Sequence, residues 1–295
     1  MGVVKPNFFL VGAPRCGTTS MYAYLRSHPQ IFMPETAKEP HYFAPEESLW
    51  YGKRIDDLET YLALFTGARD AVRIGEASTH YLASPSAANS IYAFNPQARI
   101  LIMLRSPVDL LYSLYYHRRQ TGKERHATFE QALIADTDEA SRKPRYRIFG
   151  QFASQVQRYW DVFGPDAVQI ILFDDLKSDV SAVYRQTLLF LDVDATFQPD
   201  FAPVNEHRTA RFPLIRQMKA RAPSWYRLLQ KAGRQFVSSD LRQVVNAQID
   251  QISLSDAPRP PMNPATRQQL QREFLPEMEQ LSQMLNRDLT HWCRD

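Results

Sequence analysis

A glycine-rich loop with neighbouring hydroxyl residues follows the first apolar run of the chain. Phe8–Val11 is continuously apolar, and Gly12–Ser20 (GAPRCGTTS) then leads into a stretch with helical spacing. Where a buried strand meets a helix, free backbone N–H groups and the positive end of the helix dipole come together, which suits a phosphate group. The sequence therefore predicts an anion-binding loop, with Arg15 as its cation.

The loop differs from that of a nucleoside-triphosphate enzyme. Gly12 and Gly17 have the P-loop separation and Thr19 matches its hydroxyl position, but Thr18 stands where the lysine belongs. The run Arg99–Arg105 ends in arginine, where many P-loop enzymes carry an aspartate that holds Mg²⁺. Both departures indicate a site for phosphate groups without a metal. A purely structural turn, with Thr18 and Thr19 as helix caps, stays open at this point.

Apolar strand-length runs alternate with amphipathic stretches along most of the chain. The strand candidates are Phe8–Val11, Ile31–Met33, Arg73–Ala77, Arg99–Arg105 and Val168–Phe173. The helix candidates are Thr18–Arg26, Ile55–Phe65, Pro85–Phe94, Pro107–Gln120, Gly150–Phe163, Val180–Leu191 and 263–286. Such alternation predicts an α/β, three-layer, P-loop-like fold with a central parallel sheet of about five strands flanked by helices. We expect a single domain over 1–295, with a basic segment 207–234 and the C-terminal helix packed on it.

Composition excludes several classes of protein. Among 295 residues, 44% are hydrophobic and 23% charged, with a net charge of only +3, which excludes low-complexity disorder. Cys16 and Cys293 are the only cysteines, so a disulfide scaffold is excluded and a reducing compartment is favoured. The longest apolar runs have the length of strands rather than of membrane-spanning helices. We expect a cytoplasmic protein.

Three segments together resemble the sulfotransferases that use 3'-phosphoadenosine 5'-phosphosulfate. The likeness is strongest to the carbohydrate-modifying branch related to the heparan sulfate enzymes and to its bacterial relatives. Pro14–Ser20 resembles the 5'-phosphosulfate loop, and Lys38–Phe43 (KEPHYF) resembles the acidic-aromatic motif after the second strand. Arg105-Ser106-Pro107, followed by Ser113, resembles the 3'-phosphate site. The three segments cover roughly the first half of the chain.

The resemblance implies a metal-independent enzyme with two anion sites. The donor would be 3'-phosphoadenosine 5'-phosphosulfate, and the product adenosine 3',5'-bisphosphate. The residues implied at the 5'-phosphosulfate are Arg15, Cys16, Gly17, Thr18, Thr19 and Ser20, and those implied at the 3'-phosphate are Arg105 and Ser113. Arg208 and Arg211, in the basic segment, would close over the adenine and the 3'-phosphate.

The same resemblance suggests catalytic roles. Glu39 is the first candidate for the general base and His41 the second. Arg15 stands where many relatives have a lysine, and since arginine is a poor proton donor we assign it charge stabilisation of the leaving group. Related heparan enzymes carry a lysine where this chain has Ala77, so that contribution is lost or made elsewhere. Lys38 is either an exposed cation or a donor contact, and His80 and His117 could line the pocket.

The expected partner is a hydroxyl acceptor, namely a carbohydrate, a glycolipid or a small metabolite, and not a nucleic acid. The basic segment, with Trp225 and Tyr226, could contact anionic lipid head groups as a peripheral membrane surface. Two alternatives stay open: a P-loop nucleotide or metabolite kinase, and a non-enzymatic anion-binding module. The sequence does not predict an oligomeric state.

Overall fold

Five parallel strands form the central sheet of the protein. The computed structural model describes residues 4–35, 38–45, 54–68, 70–136, 146–201, 209–210, 254–255 and 259–294. The strands are β1 (Phe8–Gly12), β2 (Ile31–Phe32), β3 (Arg73–Ala77), β4 (Arg99–Leu104) and β5 (Val168–Leu172), in the order β2-β3-β1-β4-β5. A separate antiparallel pair consists of β6 (Thr209–Ala210) and β7 (Leu254–Ser255). The predicted α/β class and five-stranded parallel sheet are confirmed.

Helices connect the strands and cover the sheet. In the described part of the chain they are α1 (Thr18–Arg26), α2 (Leu58–Ala63), α3 (Ala87–Phe94), α4 (Pro107–Gln120), α5 (Phe129–Asp136), α6 (Phe152–Phe163), α7 (Phe173–Ser178), α8 (Val180–Phe190) and α9 (Pro264–Leu285). Short 3-10 turns span Arg147–Gly150, Pro165–Ala167 and Thr290–Cys293. The sequence did not predict α5 or α7. The prediction of a strand up to Phe173 was wrong by one residue, because α7 begins there.

The sheet is apolar on both faces because helices pack on each side. All residues of β1 are buried, as are five of the six in β4, which explains why both segments are continuous apolar runs without alternation. Gly75 of β3 lies opposite Phe8 of β1, and a Cβ at this glycine would stand 2.2 Å from the Phe8 ring. A residue without a side chain is therefore required where these two strands meet.

The topology brings two connecting loops together at the carboxyl edge of the sheet. β1 lies between β3 and β4. The chain therefore continues from β1 toward the β2 side of the sheet and from β4 toward the β5 side. The Ala13 N–H donates to the Met103 carbonyl at 2.7 Å, which ties the start of the β1–α1 loop to the end of β4. In open α/β sheets this crossing point is the usual ligand-binding crevice.

The last helix packs across the outside of this edge. α9 contacts α4 and α6, and Arg267 near its start pairs with Asp109 of α4 at 2.9 Å. Asn263 caps the helix through a hydrogen bond from the Ala265 N–H at 2.9 Å, and Pro264 occupies the first turn. The predicted C-terminal helix is thus present. The place of the basic segment on the domain, and the single-domain organisation, stay predictions.

None of the helices described here combines the length and apolar character needed to cross a membrane.

Candidate active site

The loop between β1 and α1 exposes the amino end of a helix at the carboxyl edge of the sheet. Gly17 is the residue that caps α1, and its φ of 85° is a left-handed conformation that glycine adopts without strain. A Cβ there would also lie 2.9 Å from Leu176 and 3.1 Å from Phe173. Since Gly17 has no side chain to occupy the first N–H groups of α1, these donors suit an anion.

Arg15 and Arg105 face each other across this helix end. The Arg15 Nε donates to the Ser113 Oγ at 3.0 Å, and an Nη of Arg105 donates to the Arg15 carbonyl at 3.2 Å. The Arg105 guanidinium also stacks on Phe173, with its Cζ 4.9 Å from the ring centroid. Its Nη2 lies 3.7 Å from the Asp109 Oδ2. These contacts fix both guanidinium groups. The sequence expected Ser113 to serve the same phosphate as Arg105, whereas the structure holds its hydroxyl against Arg15.

A third arginine, which the sequence analysis did not single out, joins this pair from the far end of the chain. Burial and the charges of Arg259 and Arg105 lower the pKa of Arg15 to about 10. Burial and the charge of Arg105 likewise lower the pKa of Arg259. Tyr112 of α4 places this arginine by donating to the Pro260 carbonyl at 3.0 Å. An anion bound beside Arg105 would stabilise the charged forms of Arg15 and Arg259, so this cluster of cations suits an anionic ligand.

Lys38 connects the β1–α1 loop with Glu39. Its Nζ donates to the Thr19 Oγ1 at 2.8 Å and lies 4.0 Å from a carboxylate oxygen of Glu39. Burial lowers the pKa of this lysine, and Arg15 adds to that effect while Glu39 opposes it. Of the two interpretations open from the sequence, the position beside the anion loop favours a donor contact over an exposed cation.

The Glu39 carboxylate is held from several sides. Thr79 donates its N–H and its hydroxyl to the two carboxylate oxygens at 3.0 Å each. The His80 Nδ1 and the His41 Nε2 lie 3.7 and 3.8 Å from the Oε2. Burial raises the pKa of Glu39, but hydrogen bonding and charge from His80, followed by the charges of Lys38 and His41, outweigh it and lower the pKa to about 2. Glu39 is therefore a carboxylate at neutral pH.

Glu39, His41 and His80 also place one ligand-type atom each within 4.8 Å of one another, a spacing at which a metal ion could be held. Two features compete with a metal there. Both carboxylate oxygens already accept hydrogen bonds from Thr79, and the Lys38 ammonium lies beside the same carboxylate. We therefore interpret the three residues as a proton-handling group rather than as a metal site.

Strand β3 and the loop after it hold the segment that carries these groups. The Glu39 N–H donates to the Ala77 carbonyl at 2.9 Å, and the His41 N–H donates to the Ser78 Oγ at 3.1 Å. Glu39 and His41 both have positive φ, 66° and 55°, which costs backbone energy in residues with a Cβ. Because two main-chain hydrogen bonds maintain this conformation, the side chains of the KEPHYF motif have a fixed direction.

A buried carboxyl group lies beneath this segment. Glu76 of β3 is 1% exposed, and its Oε2 accepts from the Tyr61 hydroxyl at 3.0 Å and the Tyr81 hydroxyl at 3.1 Å. The Tyr81 hydroxyl accepts in turn from the Phe43 N–H at 3.1 Å. Burial raises the pKa of Glu76 to about 7, although hydrogen bonds from Ser78 and the two tyrosines oppose the shift.

Glu76→Gln should remove a pH dependence of the free energy of unfolding. The folded pKa of Glu76, about 7, lies above the ordinary 4.5, so between these values the unfolded chain loses a proton that the folded chain keeps. Wild-type stability relative to the variant should therefore fall as pH rises through this window, by roughly 3 kcal/mol in total. Urea unfolding at a series of pH values measures it, with the exposed Glu59→Gln as the control. Parallel stability curves for wild type and Glu76→Gln would contradict the assignment.

His117, in the last turn of α4, faces the same group of charges. Burial lowers its pKa to about 4, and the charges of Arg15, Lys123, Arg259 and His80 contribute in the same direction. Its imidazole is therefore neutral at pH 7 and can both donate and accept a hydrogen bond.

The structure thus gathers most of the residues predicted from the sequence at one edge of the sheet. Those that the described contacts bring together are Arg15, Gly17, Thr19, Lys38, Glu39, His41, His80, Arg105, Ser113 and His117. Thr18 and Ser20 lie in the first turn of α1. Cys16 is fully buried, and burial raises the pKa of its thiol to about 12, so it contributes packing rather than a reactive group. Arg208 and Arg211 lie outside the described residues, as does nearly all of the basic segment.

Comparison with known proteins places this geometry in a family. The model of the family described as "Sulfotransferase domain" matches residues 5–282. A solved structure, that of a sulfotransferase from Alicyclobacillus acidocaldarius, superimposes with a TM-score of 0.74 at 30% sequence identity, covering 99% of this chain and 100% of that chain.

Two curated relatives are carbohydrate-directed enzymes by name. Human carbohydrate sulfotransferase 15 is 25% identical over 279 residues, which cover 74% of this chain and 48% of the relative. Mouse bifunctional heparan sulfate N-deacetylase/N-sulfotransferase 4 is 27% identical over 200 residues, covering 64% of this chain and 22% of the relative. The chain therefore spans about half, or less, of the length of these relatives.

Proposed function

Because the chain belongs to the sulfotransferase domain family and is an enzyme that transfers sulfate, we propose that its donor is 3'-phosphoadenosine 5'-phosphosulfate and its acceptor a hydroxyl group. The acceptor would be a carbohydrate, a glycolipid or a small metabolite. Family membership sets aside the kinase and the non-enzymatic anion-binding module that the sequence left open.

The convergence of three arginines on the amino end of α1 is the observation that carries this proposal. The donor has two separate anionic groups, the 3'-phosphate and the 5'-phosphosulfate, and we assign the cations of the site to one or the other. Arg105 and Arg259 supply charge for the 3'-phosphate, while Arg15 and the N–H groups of the first turn of α1 supply charge and donors for the 5'-phosphosulfate. Arginine suits these positions because its planar group binds phosphate oxygens through two N–H donors at once.

Sulfuryl transfer is an in-line displacement with a loose transition state, so catalysis rests on positioning and on stabilising charge. The acceptor oxygen bonds to sulfur while the bond from sulfur to the phosphate oxygen breaks, and the electron pair leaves with adenosine 3',5'-bisphosphate. Lys38 and Arg15 stabilise the charge that develops on the leaving phosphate. Glu39 accepts the proton of the acceptor hydroxyl, a role worth about 10²–10⁴-fold in rate.

The donor itself should make Glu39 a better base. In the protein alone, the charges around this carboxylate hold its pKa at about 2, which favours the ionised form but weakens its tendency to take a proton. A bound phosphosulfate brings negative charge next to Lys38 and Arg15. Because the donor's negative charge then offsets the positive charge of those cations, the pKa of Glu39 rises toward the range in which proton transfer is efficient.

An uncharged, hydroxyl-rich acceptor fits beside His117 of α4. His117 is neutral at pH 7 because its pKa is lowered to about 4, and it offers both a donor and an acceptor to a hydroxyl group. The names of the relatives, a carbohydrate sulfotransferase and a heparan sulfate enzyme, support a carbohydrate acceptor. Contact of the basic segment with anionic lipid and a cytoplasmic location stay predictions.

Nucleotide binding measured by calorimetry tests the donor. We expect adenosine 3',5'-bisphosphate to bind equally well with and without Mg²⁺. Adenosine 5'-monophosphate, which lacks only the 3'-phosphate, should bind about 10- to 100-fold more weakly, because charge-assisted hydrogen bonds contribute about 1.5–3 kcal/mol each. ATP with Mg²⁺ is the control ligand. Preferential binding of ATP with Mg²⁺, or no preference for the 3'-phosphate, would contradict the proposal.

A further inference from the structure

His80 is a buried imidazole at the proposed base that the donor-binding roles leave unused. It follows Thr79 directly, so consecutive residues contact the same carboxylate: Thr79 donates its N–H and hydroxyl to Glu39, and the His80 Nδ1 lies 3.7 Å from the Oε2. The side chain of His80 is 12% exposed. Its position is therefore set by the same short loop that orients the carboxylate.

Ring packing keeps the imidazole in this place. The His80 ring packs edge-on against Phe149 of the 3-10 turn, with 5.4 Å between ring centroids. The imidazole ring of His41 also lies beside it, with 5.5 Å between the ring centroids. The titratable groups that face His80 are Glu39 and His41 from the KEPHYF segment and His117 from α4, while the 3-10 turn contributes the uncharged ring of Phe149.

A carboxylate in this environment cannot keep the proton it receives. Thr79 saturates Glu39 with hydrogen bonds that favour its ionised form, and Lys38 lies 4.0 Å away. For a second turnover the proton has to leave, and the adjacent acceptor must be neutral when the proton arrives. Imidazole is the side chain whose ordinary titration lies between pH 5 and 8, so it can take up a proton and release it again.

We propose that His80 is a further catalytic residue, which takes the acceptor's proton from Glu39 and releases it to solvent. The inference rests on the proposed function. The acceptor O–H bond breaks as its oxygen bonds to sulfur, and the proton moves to a Glu39 oxygen. The proton then passes to the His80 imidazole, which regenerates the carboxylate and leaves an imidazolium beside it. The imidazolium loses the proton to water after the bisphosphate product has formed.

The placement of His80 also bears on the lysine that the chain lacks at Ala77. Glu39 donates its N–H to the carbonyl of Ala77, so the end of β3 is next to the base, and His80 follows three residues later. A histidine from this loop brings a group that can become a cation only once the proton has been transferred. In this chain the group at that place can therefore gain and lose its charge, which a lysine does not do at neutral pH.

Two measurements test the relay. The first is an NMR comparison of the ¹⁵N-labelled imidazoles of wild type and Glu39→Gln without any nucleotide, in which the His80 signals are assigned by their loss in His80→Asn. The second is the pH profile of donor hydrolysis with water as the acceptor, which follows formation of adenosine 3',5'-bisphosphate from 3'-phosphoadenosine 5'-phosphosulfate. Asparagine keeps an N–H donor near Glu39 but cannot take a proton, so a merely positional role would survive the substitution.

We expect the imidazole nitrogen signals of His80 to change in Glu39→Gln, because the Glu39 carboxylate lies 3.7 Å from the His80 Nδ1. We expect His80→Asn to lower kcat by about 10- to 100-fold, with unchanged affinity for the bisphosphate, and to abolish the fall in rate between pH 8 and 5. His126→Asn removes a histidine that is paired with Glu124 at 2.7 Å rather than with Glu39, and should leave the profile unchanged.

His80 imidazole signals that are the same in wild type and Glu39→Gln would overturn the proposal, as would an acidic limb that persists in His80→Asn or disappears in His41→Asn instead. If His80→Asn does not fold, the His80 signals are assigned with His80→Gln, and the comparison of wild type with Glu39→Gln still decides. Failure of the proposed function is a different result: the bisphosphate then does not bind, while the nucleotide-free spectra can still show the contact between His80 and Glu39.

Discussion

Arg105→Ala should lower the affinity for adenosine 3',5'-bisphosphate by about 100-fold, or roughly 3 kcal/mol, because truncating one partner of a buried charge pair leaves the other unpaired. Arg105 is held for this contact by its stacking on Phe173 and by its hydrogen bond to the Arg15 carbonyl. Arg105→Lys should recover only part of the affinity, since lysine has neither the two-donor geometry nor the stacking surface. Calorimetry with the purified variants measures both effects.

The control is an arginine at the opposite end of the same strand. Arg99 begins β4, pairs with Asp192 and stacks on Phe190, all at the amino edge of the sheet. Arg99→Ala should leave nucleotide affinity unchanged. Adenosine 5'-monophosphate should bind wild type and Arg105→Ala about equally, since it has no 3'-phosphate. Equal losses for both nucleotides would mean that Arg105 supports the β1–α1 loop instead of binding the 3'-phosphate.

The architecture was predictable because the sheet is buried on both faces. A strand such as β1 or β4 is then a continuous apolar run that ends where it meets the carboxyl edge, and the polar residue after it is visible in the sequence. Arg105 was found in this way. α7 was missed because its six residues are too few to show helical spacing, and it follows β5 without an intervening turn.

Contacts across long sequence separations were not predictable. Arg259 stands between two prolines just before α9, a context without periodicity that indicates only an irregular segment. Its approach to Arg15 and Arg105 depends on how α9 packs against α4, which one sequence does not show. The basic residues Arg208 and Arg211 had a stronger compositional signal, yet the cation from this part of the chain that the described structure places near Arg15 and Arg105 is Arg259.

The environment of Glu39 shows the same limit at short range. The motif identified the residue, but its hydrogen bonds come from Thr79, forty residues later, through the pairing of β3 with the loop after β2. The separation between β3 and the motif is filled by α2 and by residues that the structure does not describe. A base held by such a distant loop has a pKa that no local pattern could have indicated.

Glu39→Gln should lower kcat by about 10²–10⁴-fold while donor affinity changes little. Glutamine keeps the size of the side chain and can accept one of the two hydrogen bonds from Thr79, but it cannot take a proton. Single-turnover formation of the bisphosphate from the donor, together with calorimetry on the same variant, separates the rate of transfer from binding. Full activity in Glu39→Gln would exclude Glu39 as the base and leave His41 as the next candidate.

Acid unfolding provides an independent check on the charge of Glu39. Its folded pKa, about 2, lies below the ordinary 4.5, so the ionised carboxylate stabilises the fold above pH 4.5 and that contribution is lost as pH falls toward 2. Glu39→Gln should therefore lose less stability than wild type across this window. An acid profile of Glu39→Gln that matches the wild-type profile would show that folding does not lower the pKa of Glu39, and would contradict the environment described for this carboxylate.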